Sequence, residues 1–335
     1  MRFAIERVDP MDLDLDTAEH LADIDRASTA AAGLDLATQV GPAKMVTLQL
    51  QSDSRPVDGL WLARDVDQVV GHVALALPWR DNTNAAFLRG AVHPAQRRQG
   101  VGRALVAEAV ATARAAGRTK SYTGTHAGGD GIVALTALGF SSAGLGVNAI
   151  RRVDLHRAPR GLWDQLYDEA LTHAHDYELT HLVGPTPDDM LDGMVTLHEA
   201  INDAPLDAPD LEEDVWDTDR VASYDRAMAG RRQTVYRVLA RRRDRGEWAG
   251  LSMLCVDEFQ PTIAFQEDTS VVRSHRGHRL GLLMKADMLR WVTHERPEVS
   301  AVDTWNATTN HHMIAVNERL GARVVARHVT FRLLD

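Results

Sequence analysis

Two adjacent carboxylates, Glu267 and Asp268, stand in the extended run TIAFQEDTSVV (262–272), which leads straight into HRGHRLGLLM (275–284). A carboxylate beside a bound amine can take its proton directly or through water. A strand that runs into a Gly-containing loop and then a helix presents several backbone N–H groups at the positive end of the helix dipole. Glycine lets that backbone approach an anion closely, as a pyrophosphate requires. The same order occurs earlier, where AAFLRGAVHP (85–94) precedes QRRQGVGRAL (96–105). In register, Arg97 falls on Arg276, Gly100 on Arg279 and Gly102 on Gly281. The first strand carries no carboxylate. Arg279, in place of a glycine, either adds charge to bound phosphates or points to solvent.

Alternation along a strand places Glu267 and Asp268 on opposite sides. A bulge at this point would exchange their roles. The histidines number 15, but THAHDYELTH (172–181) gives His173, His175 and His181 no fixed ligand geometry, and no metal is expected. Cys255, in the apolar run LSMLCV, reads as a packed strand residue, and a single cysteine excludes an internal disulfide framework.

These loops need elements to position them. In the first half, strands are expected at 3–8, 60–65, 69–78, 85–94, 121–125 and 143–155, with helices at 17–31, 101–116 and 131–138. Val101, Leu105, Ala109, Val110 and Ala113 share one face of the helix that follows the first loop, and Gly117 stops it. The second half repeats the order, with strands at 177–183, 234–242, 248–258, 262–272, 301–305 and a last one from Arg323. Its helices fall at 187–201, 215–229, 280–292 and 310–320. Self-similarity on this scale indicates a duplicated domain. The expected boundaries are 1–155, a linker helix over 156–176, and 177–335.

Here the sequence resembles the GNAT superfamily of N-acetyltransferases. Val92-His93-Pro94, Arg97-Arg98-Gln99-Gly100-Val101-Gly102 and Leu138-Gly139-Phe140 look like its acetyl-CoA motifs. Val271, Arg276-Gly277-His278-Arg279-Leu280-Gly281 and the later Asn306, Asn310, Met313, Asn317 and Leu320-Gly321 look like the second half of tandem members, a layout also seen in mycothiol synthase. The resemblance implies an α/β fold, mixed and α+β-like. It consists of two tandem domains, each a splayed, mostly antiparallel sheet flanked by helices. It implies acetyl-CoA as co-substrate, with the pantetheine arm in the splay and the pyrophosphate on the loop. The contacts would come from Val92, Arg97, Arg98, Gln99, Gly100, Val101, Gly102 and Arg103. In the second half they would come from Val271, Val272, Arg276, Gly277, His278, Arg279, Leu280, Gly281, Asn306 and Asn310.

The activity implied is transfer of acetyl to a primary amine of a small molecule, with Glu267 or Asp268 as base in the second half. Glu267 has the parity of the usual family base. Many relatives place a tyrosine acid where this chain has Leu135 and Asn317, which puts direct protonation of the thiolate in doubt. Asn317 and Asn310 can still bond pantetheine amides or a bound water. The alternatives are catalysis in the first half, or a non-catalytic acyl-CoA-binding regulatory protein. The acidic segment DAPLDAPDLEED (203–214) reads as a wall that draws a cationic amine.

The formal net charge of −10 argues against nucleic acid, which needs clustered Lys and Arg. RRRDR (241–245) reads as a solvated hairpin tip. No apolar run approaches the ~20 residues of a membrane span, and the acidic N-terminal stretch is unlike a secretory signal. The expectation is a cytoplasmic monomer or homodimer.

Overall fold

The computed structural model describes residues 3–66, 68–142, 146–203 and 210–334. In chain order the first elements are β1 (Ala4–Val8), α1 (Leu15–Ala31), α2 (Gly41–Gln49), β2 (Gly59–Asp65), β3 (Gln68–Ala76), β4 (Ala85–Val92), α3 (Val101–Ala115), β5 (Lys120–His126), α4 (Gly131–Ala137) and β6 (Val147–Asp154). Then come α5 (Leu162–Leu171), β7 (Tyr177–Val183), α6 (Leu191–Glu199), α7 (Thr218–Gly230), β8 (Gln233–Arg242) and β9 (Trp248–Asp257). The last are β10 (Ile263–Val271), α8 (Leu280–Glu295), β11 (Ala301–Ala307), α9 (His311–Arg319) and β12 (Arg323–Leu334). The helix α2 was not expected from the sequence, because GPAKMVTLQ has little amphipathic contrast; Pro42 starts it.

Two compact units result, and they exchange strands relative to the sequence reading. The first comprises residues 1–148, 207–212 and 325–335, and the second 149–206 and 213–324. Most of β6, read as the end of the first half, thus belongs to the second unit. Most of β12 belongs to the first. Strand order is β1-β2-β3-β4-β5-β12 in the first unit and β6-β11-β10-β9-β8-β7 in the second. Phe331 of β12 is buried in the same cluster as Val101, Leu105 and Phe140, and β12 pairs antiparallel with β5 from His328–His126 to Leu334–Lys120. In the second unit, Arg152 of β6 donates two hydrogen bonds to buried Asp303 of β11, at 2.6 and 2.8 Å.

Within each unit a parallel pair opens partway along. β4 registers with β5 only from Ala85–Lys120 to Phe87–Tyr122, although β4 continues to Val92. β10 registers with β11 only from Ile263–Ala301 to Gln266–Thr304, although β10 continues to Val271. Each opening leads to the loop before α3 or α8. The helix α3 buries Val101, Leu105, Ala109, Val110 and Ala113, the face read from the sequence. Truncating a residue such as Leu105 there costs about 2–5 kcal/mol.

Candidate active sites

The two loops are built alike from their arginines. Arg97 Nε donates back to the Val92 carbonyl at 3.4 Å, and Arg276 Nε does the same to Val271 at 3.1 Å. Their other ends differ. Arg97 reaches Ser28 Oγ of α1 at 2.8 Å; Arg276 reaches Asp203 at 2.7 Å. Both arginines therefore brace the loop. Among the described residues, no backbone N–H from Arg98 to Arg103, or from Gly277 to Leu282, donates to a backbone carbonyl. That leaves a row of donors at each helix N-terminus, the arrangement that fits a pyrophosphate. Arg98, Gln99, Gly100 and Arg103 are exposed around the first row, as are Gly277 and Arg279 around the second. Val272 and the half-buried His278 flank the second row, and His278 lies 5.4 Å from the Tyr177 ring.

The glycine-to-arginine change can be explained. Gly100 caps α3 at φ 89° and Arg279 caps α8 at φ 55°, so both are left-handed. Arg279 accepts this conformation and turns its guanidinium to Glu169 of α5, which also holds Arg319 of α9. The Arg319 and Arg279 guanidiniums hold the Glu169 carboxyl below its usual range. The exposed side chain is thus paired with Glu169.

The carboxylates sit where β10 leaves β11. Gln266 pairs with Leu254 of β9 and Thr269 with Ser252, so Glu267 and Asp268 form a β-bulge with one residue more than the facing strand. Gln266 Nε2 donates to Ser252 Oγ at 3.2 Å, and Ser252 and Thr269 hydroxyls bond at 3.1 Å, bracing the bulge. Strict alternation would have parted the two carboxyls. Instead both act on Tyr224 of α7, whose phenol is pushed well above its ordinary pKa by burial first and then by Cys255, Glu267 and Asp268, against Arg237.

Glu267 is exposed and Asp268 half-buried, with protein packed close around both carboxyls. Desolvation there is the main cause that raises Glu267 to about 7, with Asp268 adding to it and Arg231 opposing. Desolvation also raises Asp268 to about 6, helped by Asp214.

The wall facing them is aromatic. His198 of α6 stacks on Trp216 at 4.0 Å, with Tyr224 6.1 Å from His198. Behind it, buried Arg237 pairs with Asp225, which also accepts from the Thr186 backbone at 2.7 Å. Sequence reading missed Tyr224, His198 and Trp216. Nothing in their local pattern separates them from ordinary helix and loop residues, since their placement depends on α6 packing over β9 and β10 and on α7 packing against α6.

The asparagines have local duties. Asn310 caps α9, accepting from Met313 N at 3.2 Å. Asn317 is buried and donates to Asn306 Oδ1 at 2.6 Å, pinning α9 to β11. Both amides are thus engaged within α9 and with β11. The acidic segment is also largely engaged. Asp203 pairs with Arg273 and Arg276, Asp214 with Arg220 and Asp210 with Lys120 and Arg332; Asp207 lies outside the described residues.

In the first unit, the strand position opposite the splay offers Leu88 and Arg89 rather than carboxylates. A buried polar cluster lies elsewhere in this unit: His72 Nε2 bonds Asp25 at 2.9 Å, and Lys44 Nζ bonds the same carboxylate at 2.6 Å. Burial and then Lys44 push the His72 pKa down. With His72 almost wholly buried, this triad ties α1, α2 and β3 together.

Comparison with known proteins agrees with this geometry. Residues 29–140 match the Acetyltransferase (GNAT) family. The fold matches a tandem GNAT protein from the clavulanic acid biosynthesis pathway with a TM-score of 0.78 at 27% identity, covering 99% of this chain and 98% of that one. The first half of the chain thus matches the GNAT family, and the whole chain is similar to a tandem GNAT protein. A GCN5-related N-acetyltransferase from Sphaerobacter thermophilus shares the fold at 15% identity and a TM-score of 0.69, covering 99% of this chain and 96% of that one. A search of curated proteins found no match. GNAT enzymes use acetyl-CoA, and the two free rows of N–H donors fit its pyrophosphate. Among the described residues, no helix is long and apolar enough to cross a membrane.

Proposed function

We propose that the second unit transfers acetyl from acetyl-CoA to a primary amine of a small molecule, and that the first unit binds acetyl-CoA without transferring it. The observation that carries this is the carboxyl pair in the β10 bulge, at the point where β10 and β11 part. A base that titrates near neutrality can hold a substrate proton in the working range. Glu267, ionised, takes a proton from the ammonium directly or through one water. The amine nitrogen then attacks the thioester carbonyl, and collapse of the tetrahedral adduct breaks the C–S bond and releases the CoA thiolate. Strand N–H groups freed by the bulge and the splay polarise the carbonyl as charge develops on its oxygen. Asp268 and Asp214 hold negative charge beside Glu267, which favours a cationic acceptor over an anionic one.

The loops support two nucleotide sites, and the absence of a carboxylate on β4 supports assigning transfer to the second. The test is acetyl-CoA turnover across an amine library, read by thiol release. Activity with some amine that survives Gly102→Glu and is lost in Glu267→Gln/Asp268→Asn supports the assignment. Loss with Gly102→Glu and survival in the carboxylate variant moves the reaction to the first unit.

A further inference from the structure

The splay of the first unit is covered on one side by a piece of chain far from it in sequence. Residues 207–212 belong to that unit. Leu211 packs on Ala85, Phe87 and Tyr122. Phe87 and Tyr122 are the last registered pair of β4 and β5, and their rings stack at 5.5 Å. Phe87 alternates with Ala86 and Leu88, which face α3, so Leu211 lies on the opposite face, the one that carries α1 and α2.

Polar contacts clamp both sides of Leu211. Asp210 receives the Arg332 guanidinium and lies 3.3 Å from Lys120 Nζ, which also donates to the Asp210 carbonyl at 3.0 Å. Asn82 N donates to Glu212 Oε2 at 2.6 Å, and Glu212 N donates to Asn82 Oδ1 at 2.8 Å. Asn82 holds φ at 51° to do so, a conformation that asparagine tolerates better than most residues. The buried Tyr122 hydroxyl meets the same carboxyl: burial first, and then Asp210, push the phenol up to about 12. Asp210 is not the missing base of this unit. Against burial, hydrogen bonds from Tyr122, Arg332 and Lys120 hold its carboxyl below the usual range, and a carboxylate pinned in this way is a poor proton acceptor.

We propose that Lys120, Arg332 and Tyr122 form a carboxylate-recognition site at the splay of the first unit. Its resident occupant is the chain's own Asp210-Leu211-Glu212 segment, which shields any thioester held in that unit from amines. The shielding part rests on the reading that the first unit binds acetyl-CoA.

The test uses full-length protein carrying Gly281→Glu and Glu267→Gln, so that only the first loop can present a thioester. Calorimetry with CoA reports occupancy of that loop, and hydroxylamine is the probe amine, with thiol release as readout. Replacing Asp210, Leu211 and Glu212 by alanine should accelerate release several-fold at unchanged CoA occupancy, and Asn82→Ala should do the same more weakly. In Asp210→Ala, formate should restore protection where chloride does not, because formate supplies a carboxylate to Lys120, Arg332 and Tyr122. Unchanged release in both variants, with CoA bound, overturns the shield. Failure of formate to act differently from chloride overturns the carboxylate site. Absence of CoA binding at the first loop overturns the reading of that unit instead, and the shield with it, while the formate arm, read by thermal melting, still decides the carboxylate site.

Discussion

At the scale of single residues, Glu267 and Asp268 should dominate the chemistry. Glu267→Gln or Asp268→Asn should lower kcat by roughly 10²–10⁴, the range for loss of a general base, with little change in KM for acetyl-CoA. The base must be ionised, so the rate should climb as pH rises through the interval from about 6 to about 7 set by the two carboxyls; a pH–rate profile flat from 5 to 8 (about two pK units beyond an ordinary carboxylate) excludes them. Stability should move the other way. Glu267 titrates at about 7 when folded against an ordinary 4.5. The unfolded chain therefore releases this proton first, and stability is lost as pH climbs across that window. Glutamine has no proton to lose. Glu267→Gln should thus raise Tm at about pH 8 relative to wild type and leave it nearly unchanged at about pH 4. A variant less stable than wild type at both would mean that the carboxylate is held by favourable contacts rather than desolvated.

At the scale of elements, the proposed nucleotide sites lie at the loop–helix junctions. A Cβ at Gly281 meets nothing within 4 Å, and one at Gly102 meets only Val92 at 3.6 Å. Alanine should therefore be accepted by the fold at both positions. Glutamate should remove one CoA site each in calorimetry, because its charge enters the row of N–H donors. Arg279→Gly should leave Tm nearly unchanged. It relieves a left-handed residue, worth about 1–2 kcal/mol, and loses an exposed ion pair worth up to about 1 kcal/mol. A large drop in Tm would mean that the Glu169 contact holds α5 on α8.

These junctions were legible in the sequence because glycine, arginine and helix-start signals are local and occur twice. The carboxylate pair was legible as residues but not as geometry: QED gives no sign of the extra residue that makes the bulge. The wall of His198, Trp216 and Tyr224 was not legible at all, since it depends on which helix packs over which strand. Asn317 looked like a pantetheine contact from its spacing, and its burial against Asn306 depends on the docking of α9. The acidic run 203–214 was visible as charge, whereas its partners Lys120, Arg273 and Arg332 are distant in sequence.

At the scale of the whole molecule, the exchange of strands makes neither half of the sequence self-sufficient. A fragment ending at residue 155, the boundary that sequence self-similarity suggests, lacks β12 and hence buried Phe331. It leaves β5 with an unpaired edge. Such a fragment should aggregate or melt without cooperativity, and adding the β12 peptide in trans should restore CoA binding at the first loop. A fragment 1–155 that folds cooperatively alone would show that β12 adds only an edge. In the complete chain, Phe331→Ala should cost about 3–5 kcal/mol and weaken CoA binding at the first loop rather than at the second.

The position of β12 also sets an order of events on the ribosome. Domains generally fold as they emerge, N-terminal first, at about 5–20 residues per second. Here the strand that finishes the first unit is made after every strand of the second. The first unit must wait for the intervening stretch, roughly 10–40 s at that rate, with β5 open to wrong partners. The unit translated last is the one able to complete first. Expression should therefore respond to holdase chaperones and to slow codons late in the gene more than the small size of either unit suggests. Pulse-labelled nascent chains stalled just before residue 323 should stay protease-sensitive in the first unit while the second is already protected.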